Sequence, residues 1–214
     1  MFAVAVAFAT NTSFAQEIKG DAKAGESKNA MCVGCHGIKG YQATFPEVYK
    51  VPMISGQNAQ YISSALHAYK KGDRKFPSMR GIAESLSDQD IADLAAYYSA
   101  SGVVAGAELP AKPVKEASAE VQVLLSKANC ASCHGANFSK PIDPSYPKLA
   151  GQHADYLFVA LKSYKTENNA KVGRGNAIMA GMVKQYTNAE LKLLAGYLAS
   201  VAGEVKTVPE NRFR

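Results

Sequence analysis

Two short runs of residues can do chemistry. Cys32-Val33-Gly34-Cys35-His36 returns 98 residues later as Cys130-Ala131-Ser132-Cys133-His134, and together they hold all four cysteines of the 214-residue chain. Two thiols three positions apart share one helical turn and can add to the two vinyl groups of a single porphyrin. The residue that follows then lies under the iron and offers an imidazole nitrogen. Cys-x-x-Cys-His is the attachment signature of c-type haem, so the pattern predicts two covalently bound haem c groups, with His36 and His134 as iron ligands. Other uses of these thiols fit less well. Structural zinc takes four ligands, often from Cys-x-x-Cys pairs about 15–20 residues apart, whereas these pairs are nearly a hundred apart. A thioredoxin-like dithiol sits in a βαβ setting. Structural disulfides give no reason for the His-Gly that follows each pair.

The second axial ligand decides between an electron carrier and a catalyst. Among six methionines, Met79 and Met179 hold corresponding places, 43 and 45 residues after His36 and His134. A thioether is neutral and soft, and Met/His ligation raises a haem potential. Met79 and Met179 are therefore the expected sixth ligands. Met182 lies near Met179, but its counterpart is Ile82. Neither His67 nor His153 recurs, since they pair with Lys162 and Asn58; both read as surface or packing histidines. Pro52 and Pro147 recur ahead of a Gly-Gln pair. A proline carbonyl there could accept the proton on the ligand histidine's other nitrogen, and an ordinary turn proline reads equally well. Tyr61 and Tyr156, with Tyr69 and Tyr164, could wall the haems or bond a propionate; plain core tyrosines read equally well.

The elements that must position these residues are also written twice. Pro52-Met53-Ile54-Ser55-Gly56-Gln57 returns as Pro147-Lys148-Leu149-Ala150-Gly151-Gln152. Ser87, Ile91, Leu94 and Tyr97 return 100 residues later as Thr187, Leu191, Leu194 and Tyr197. Such ordered self-similarity marks an internal repeat. It divides the chain into a first domain over residues 16–104, a linker over 105–117, a second domain over 118–203 and a tail over 204–214. Pro110-Ala111-Lys112-Pro113 makes the linker extended and semi-rigid. The tail has no repeat partner and reads as a mobile or surface-draped end.

Each half reads as helical. Ser87-Asp88-Gln89-Asp90 and Thr187-Asn188-Ala189-Glu190 place a hydroxyl N-cap three residues before a carboxylate. Apolar residues follow at helical spacing, Ile91, Leu94, Ala95 and Tyr98 in the first copy. Middle helices are expected over residues 59–71 and 154–165, and first helices from about Asp21 and Ala119. No alternating strand pattern persists, so the expected fold class is all-α, two tandem helical domains with essentially no sheet. Domains this small bury little apolar surface and need a staple, which the covalent haems would supply.

Composition bounds the rest. Hydrophobic residues are 47% and charged residues 20%, an ordinary globular balance that argues against disorder. No run of about 18–20 apolar residues exists to span a bilayer. Residues 1–15 carry no charge, and Ser13-Phe14-Ala15 resembles a cleavage site, so a signal peptide and export to the periplasm are expected. From Gln16 the first half to Val104 has ten basic and nine acidic residues, and the remainder has fourteen and nine. Basic residues precede each candidate methionine: Lys70, Lys71, Arg74 and Lys75, then Lys162, Lys165, Lys171 and Arg174. They read either as solvated helix ends or as a basic rim that steers an acidic redox partner. No nucleic-acid recognition motif is present.

Two Cys-x-x-Cys-His units, each followed by Pro-x-x-x-Gly-Gln, a Met and a capped helix start, resemble the dihaem cytochrome c4 family. The segment Leu86-Ser87-Asp88-Gln89-Asp90-Ile91-Ala92-Asp93-Leu94-Ala95-Ala96-Tyr97-Tyr98 is especially similar, and Tyr186-Thr187-Asn188-Ala189-Glu190 departs from it while keeping the capping logic. The resemblance implies an all-α fold of two tandem cytochrome c-like helical domains, and a periplasmic electron carrier with no catalytic residues and with its haems close to a pseudo-twofold interface. It implies redox-protein partners: a membrane-bound terminal haem-copper oxidase as acceptor, a quinol–cytochrome c oxidoreductase or another donor upstream, and room for peripheral membrane association. The haem subunit of a flavocytochrome c sulfide dehydrogenase is the alternative of similar layout, and a dihaem peroxidase is the enzyme-class rival.

Overall fold

The computed structural model describes residues 18–210; the expected signal peptide lies outside them. The first half runs α1 (Ala22–Lys28), α2 (Ala30–His36), α3 (Ala59–Lys71), α4 (Pro77–Glu84) and α5 (Asp88–Ala100). The second repeats that order as α6 (Ala119–Lys127), α7 (Ala131–His134), α8 (Ala154–Ser163), α9 (Ala177–Lys184) and α10 (Asn188–Ser200). The fold is all-α, as the periodicity predicts. Ser87 and Thr187 each form a full capping box, with Asp90 and Glu190 as the reciprocal partners. From there α5 buries Ile91, Leu94, Ala95 and Tyr98, and α10 buries Leu191, Leu194, Ala195 and Leu198. These faces are the centres of the two cores. Sequence reading misses α4 and α9, the helices that carry the two methionines. At eight residues each, they are too short for a clear 3.6-residue period.

The halves differ at their first helix. A Cβ on Gly25 would lie 2.1 Å from the Asp93 carbonyl oxygen, so α1 crosses α5 at backbone contact. Lys28 locks this crossing through Asp90 at 2.8 Å and Asp93 at 2.6 Å. In the second half, larger side chains fill the space: Val121 and Leu124 of α6 pack against Leu191 and Leu194.

Among the described residues strand is confined to short ladders, in keeping with the expectation of essentially no sheet. β1 (Gln42–Ala43) pairs with β2 (Tyr49–Lys50), and β3 (Arg74–Lys75) pairs with β4 (Gly173–Arg174), both antiparallel. Two-residue strands are too short for alternation to show. The β3–β4 ladder also joins the two halves, with Arg74 directly opposite Arg174.

Two glutamines make the domain boundary nearly symmetric. Gln57 Nε2 donates to the Lys148 carbonyl at 2.9 Å, and its Oε1 accepts from the Lys148 amide at 2.9 Å. Gln152 Nε2 donates to the Met53 carbonyl at 2.8 Å, and its Oε1 accepts from the Met53 amide at 3.0 Å. Met53 and Lys148 are themselves repeat counterparts, so each glutamine clamps the same backbone position of the other half.

Of the two alternatives for the tail, its described part takes the draped one. Residues 204–210 cross back onto the first half, where Lys206 exchanges backbone hydrogen bonds with Ser55 at 2.9 and 3.2 Å. Val205 is buried, and the Glu210 carboxylate accepts from Asn29 Nδ2 and the Tyr97 hydroxyl. The linker is held on the second half by Asn137, which donates to the Pro110 carbonyl at 2.9 Å. Among the described residues no helix is long and apolar enough to cross a membrane.

Candidate haem-binding sites

The first Cys-x-x-Cys-His motif lies on α2 and the second on α7 with Cys130 as its N-cap residue, and the thiols and histidines of both line one cavity. His36 Nδ1 is 2.9 Å from the Pro52 carbonyl oxygen, and His134 Nδ1 is 3.0 Å from that of Pro147. A carbonyl can only accept, so Nδ1 carries the proton and Nε2 is the nitrogen with a free lone pair. Burial lowers the pKa of both imidazoles, against the proline contacts, and holds them in the neutral form that binds metal. Burial pushes the Cys32 thiol up to about 11 and raises that of Cys130. Among the described residues none of the cysteines is joined in a disulfide.

The residues singled out in the sequence converge. Cys32, Cys35, His36, Pro52, Tyr61 and Met79 line a cavity of about 690 Å³. Their counterparts Cys130, Cys133, His134, Pro147, Tyr156 and Met179 line the same cavity, which runs through the domain boundary. The wall is largely aliphatic and aromatic, with Leu66, Leu94, Leu161 and Leu194 among its residues. Met79 sits on α4 and Met179 on α9; both are half-buried, and Met179 packs on the second core. Met182 also reaches the wall but is 40% exposed. His67 is exposed beside Asp88, and His153 caps α8; neither lines the cavity.

The two arginines of the basic clusters turn inward and do not belong to the surface rim considered from sequence. Arg74, 8% exposed, donates from Nη2 to the Tyr61 hydroxyl at 3.1 Å. Arg174, half-buried, donates to the Tyr156 hydroxyl at 3.0 Å. Each guanidinium lies against two tyrosine rings, Arg74 at 5.6 and 5.0 Å from Tyr61 and Tyr69, Arg174 at 5.5 Å from Tyr156 and Tyr164. A planar, weakly hydrated cation stacks this way more readily than an ammonium does, which explains why the arginines turn inward. Several lysines are also engaged internally. Lys70 donates to the Leu86 carbonyl at 2.7 Å, its counterpart Lys165 to that of Tyr186 at 2.5 Å, and Lys162 pairs with Glu47 of the first half. Lys71, Lys171 and Lys184 remain exposed.

The two guanidiniums act on the phenols beside them. For the Tyr156 phenol, burial acts to raise the pKa, but the Arg174 and Arg74 guanidiniums outweigh it and bring the group down to about 8. For Tyr61 burial prevails, and the phenol rises to about 12. Sequence reasoning assigned no role to Gln57 and Gln152 and placed the arginines wrongly. Only the repeat could have singled them out, because both pairs recur at corresponding positions.

Paired thiols and a histidine in each half, facing one largely apolar cavity, are a donor set that fits c-type haem. The cytochrome c family profile matches residues 22–99 and again residues 118–202. The chain is 31% identical over 190 residues to cytochrome c4 of Stutzerimonas stutzeri, covering 84% of this chain and 88% of that one. It is 28% identical over 178 residues to a thiosulfate dehydrogenase electron acceptor of Thiomonas intermedia, covering 80% and 78%. The crystal structure of reduced recombinant cytochrome c4 from Pseudomonas stutzeri superimposes with a TM-score of 0.60 at 27% identity, covering 86% of this chain and all of that one. The repeated motif, the repeated fold and these likenesses agree, and the chain belongs to the cytochrome c4 family of electron-transfer proteins, with two cytochrome c domains in tandem and two covalent haem c groups.

Proposed function

We propose that this protein is a periplasmic one-electron carrier in which His36 and Met79 hold one iron and His134 and Met179 the other. Haem iron, when bound, supplies a ferric/ferrous couple that accepts and returns one electron without making or breaking a substrate bond. The observation that carries the reading is the matched geometry of the halves: each histidine is held through Nδ1 by a proline carbonyl, and a half-buried methionine lines the same cavity. The proline contact fixes the tautomer and the ring's orientation, which keeps Nε2 aimed as a donor. Cys32 with Cys35, and Cys130 with Cys133, anchor the macrocycle against one helix in each half. A neutral Met/His donor pair would raise the potential of the iron it holds, and with Met79 and Met179 both engaged no iron would be left open to peroxide, which argues against a peroxidase.

Carbon monoxide and cyanide test this reading. Neither should bind the wild type quickly. Met79→Ala and Met179→Ala should each open one haem to ligand and lower its potential, and Met182→Ala should do neither. Rapid stoichiometric binding to one wild-type haem would refute the carrier reading.

For partners, we favour an oxidase as acceptor. The donor has a second reading, since two relatives are named as thiosulfate dehydrogenase electron acceptors. Stopped-flow reduction by purified thiosulfate dehydrogenase, compared with a flavin-bearing sulfide dehydrogenase and a quinol–cytochrome c oxidoreductase, separates the donors. Oxidation by membranes with and without the terminal oxidase tests the acceptor. Failure of all three donors to reduce the protein would defeat this choice of partners.

A further inference from the structure

The tail that follows α10 has no counterpart in the first half, yet it ends against that half's haem-attachment helix. At Gly203 the chain passes so close to the second half that a Cβ would lie 1.8 Å from the Ala150 carbonyl oxygen. Glu204 then pairs with Lys148 at 2.5 Å, and Lys206 bonds the Ser55 backbone of the first half. Glu210 reaches the junction of α1 and α2, where its Oε1 accepts from Asn29 Nδ2 and from the Tyr97 hydroxyl.

Both donors belong to the frame of the first motif. Asn29 is fully buried, so its amide must find partners inside the protein. Its carbonyl accepts from the Cys32 amide at 2.8 Å and the Val33 amide at 3.0 Å, which sets the start of the turn that carries the thiols. Tyr97 packs on the same core as Cys32 and lies edge-on to Tyr98 at 5.0 Å, and Tyr98 lines the cavity. One carboxylate oxygen therefore ties the start of α2 to α5. The second half holds the same two places by other means. Lys127, the counterpart of Asn29, donates to the Gln185 carbonyl at 3.0 Å, and Tyr197, the counterpart of Tyr97, donates to the Lys115 carbonyl at 3.2 Å.

We propose that Glu210 is a positioning residue for the first haem, supplied by the tail of the second half, and that it keeps α2 and α5 closed around the group bound to Cys32 and Cys35. This role rests on the covalent haem of that half and on no axial methionine. Glu210, Asn29 and Tyr97 stand outside the cavity lining, so the carboxylate acts through the two elements it joins. An apolar shell that excludes water raises a metal's potential, because water favours the more highly charged oxidised form. Loosening α2 from α5 admits water to the first haem and leaves the second as it was.

The test is a redox titration of the holoprotein followed by nuclear magnetic resonance, with each haem identified by contacts from its thioether bridges to Cys32 and Cys35 or to Cys130 and Cys133. Glu210→Ala removes both hydrogen bonds and should lower the midpoint potential of the first haem alone. Glu210→Gln keeps an oxygen that accepts the same two bonds and loses only the negative charge, which favours the ferric form, so that potential should stay level or rise. Tyr97→Phe deletes one donor and should lower the first potential by less than Glu210→Ala, and in the double variant it should add nothing. Glu108→Gln, at an exposed carboxylate of the linker, should shift neither haem. An unchanged first haem in Glu210→Ala, equal shifts in both haems, or a fall in Glu210→Gln as large as in Glu210→Ala would overturn the proposal. Should Glu210→Ala fail to fold, Tyr97→Phe decides: a lowered first potential supports the role, and an unchanged one defeats it.

Discussion

Replacing Gln57 by Ala should unfasten the two domains from each other. The side chain is 4% exposed and makes two hydrogen bonds across the boundary, to the Lys148 amide and carbonyl, both at 2.9 Å. Its Oε1 also accepts from the Asn58 amide at 3.0 Å. Two lost hydrogen bonds remove about 2 kcal/mol, and leaving the Lys148 backbone groups poorly satisfied in a partly buried setting adds to this, for a total of about 2–4 kcal/mol. Gln152→Ala should cost about as much, because Gln152 repeats every one of these contacts on Met53 and His153. The double variant should cost less than the sum, since a boundary opened by the first change no longer holds the second clamp in place. Urea unfolding followed at the Soret band and by far-ultraviolet circular dichroism measures all three, and the single variants should split a shared transition into two. A single-variant cost below about 0.5 kcal/mol, the range of ordinary surface substitutions, or strict additivity, would refute the clamp.

Three further outcomes are expected. Gly25→Ala should destabilise the first half by about 1–3 kcal/mol, the usual cost of overpacking, because its Cβ would meet the Asp93 carbonyl at 2.1 Å; a raised melting temperature would contradict the close crossing. Acid should loosen the first half before the second. Lys28 holds the Asp90 and Asp93 carboxyls below their usual range, so their stabilisation is present above the ordinary carboxylate pKa and is lost as pH falls below about 4. Lys28→Gln should flatten that acid limb in pH-dependent melting, and an unchanged limb would reject the assignment. Truncation after Gly203 removes buried Val205, the Lys206–Ser55 bridge and the Glu210 contacts. Burying one valine contributes about 1.5–3 kcal/mol, so calorimetry should show the first half melting lower, and no change would mean that the tail only drapes.

The chemistry was legible because it is local. Cys-x-x-Cys-His needs only one helical turn to set its geometry, and Ser87 and Thr187 cap their helices through contacts three residues away. Helix α3 falls on residues 59–71, as its apolar spacing predicts. The repeat sets Met79 and Met179 in register, although the eight-residue helices that hold them are too short to show a clear period.

The cofactor, the helical class and the duplication are therefore readable from the amino-acid order, because they rest on residues close together in the chain or on the likeness of one half to the other. The tertiary structure alone decided how the halves meet. Gln57 and Lys148 are 91 positions apart, Arg74 and Arg174 lie 100 apart, and the Lys206–Ser55 bridge spans 151. A polar residue's spacing along the chain does not say whether it faces water or another domain. An arginine that reads as surface charge becomes part of a buried site only when folding brings tyrosine rings and a second arginine against it.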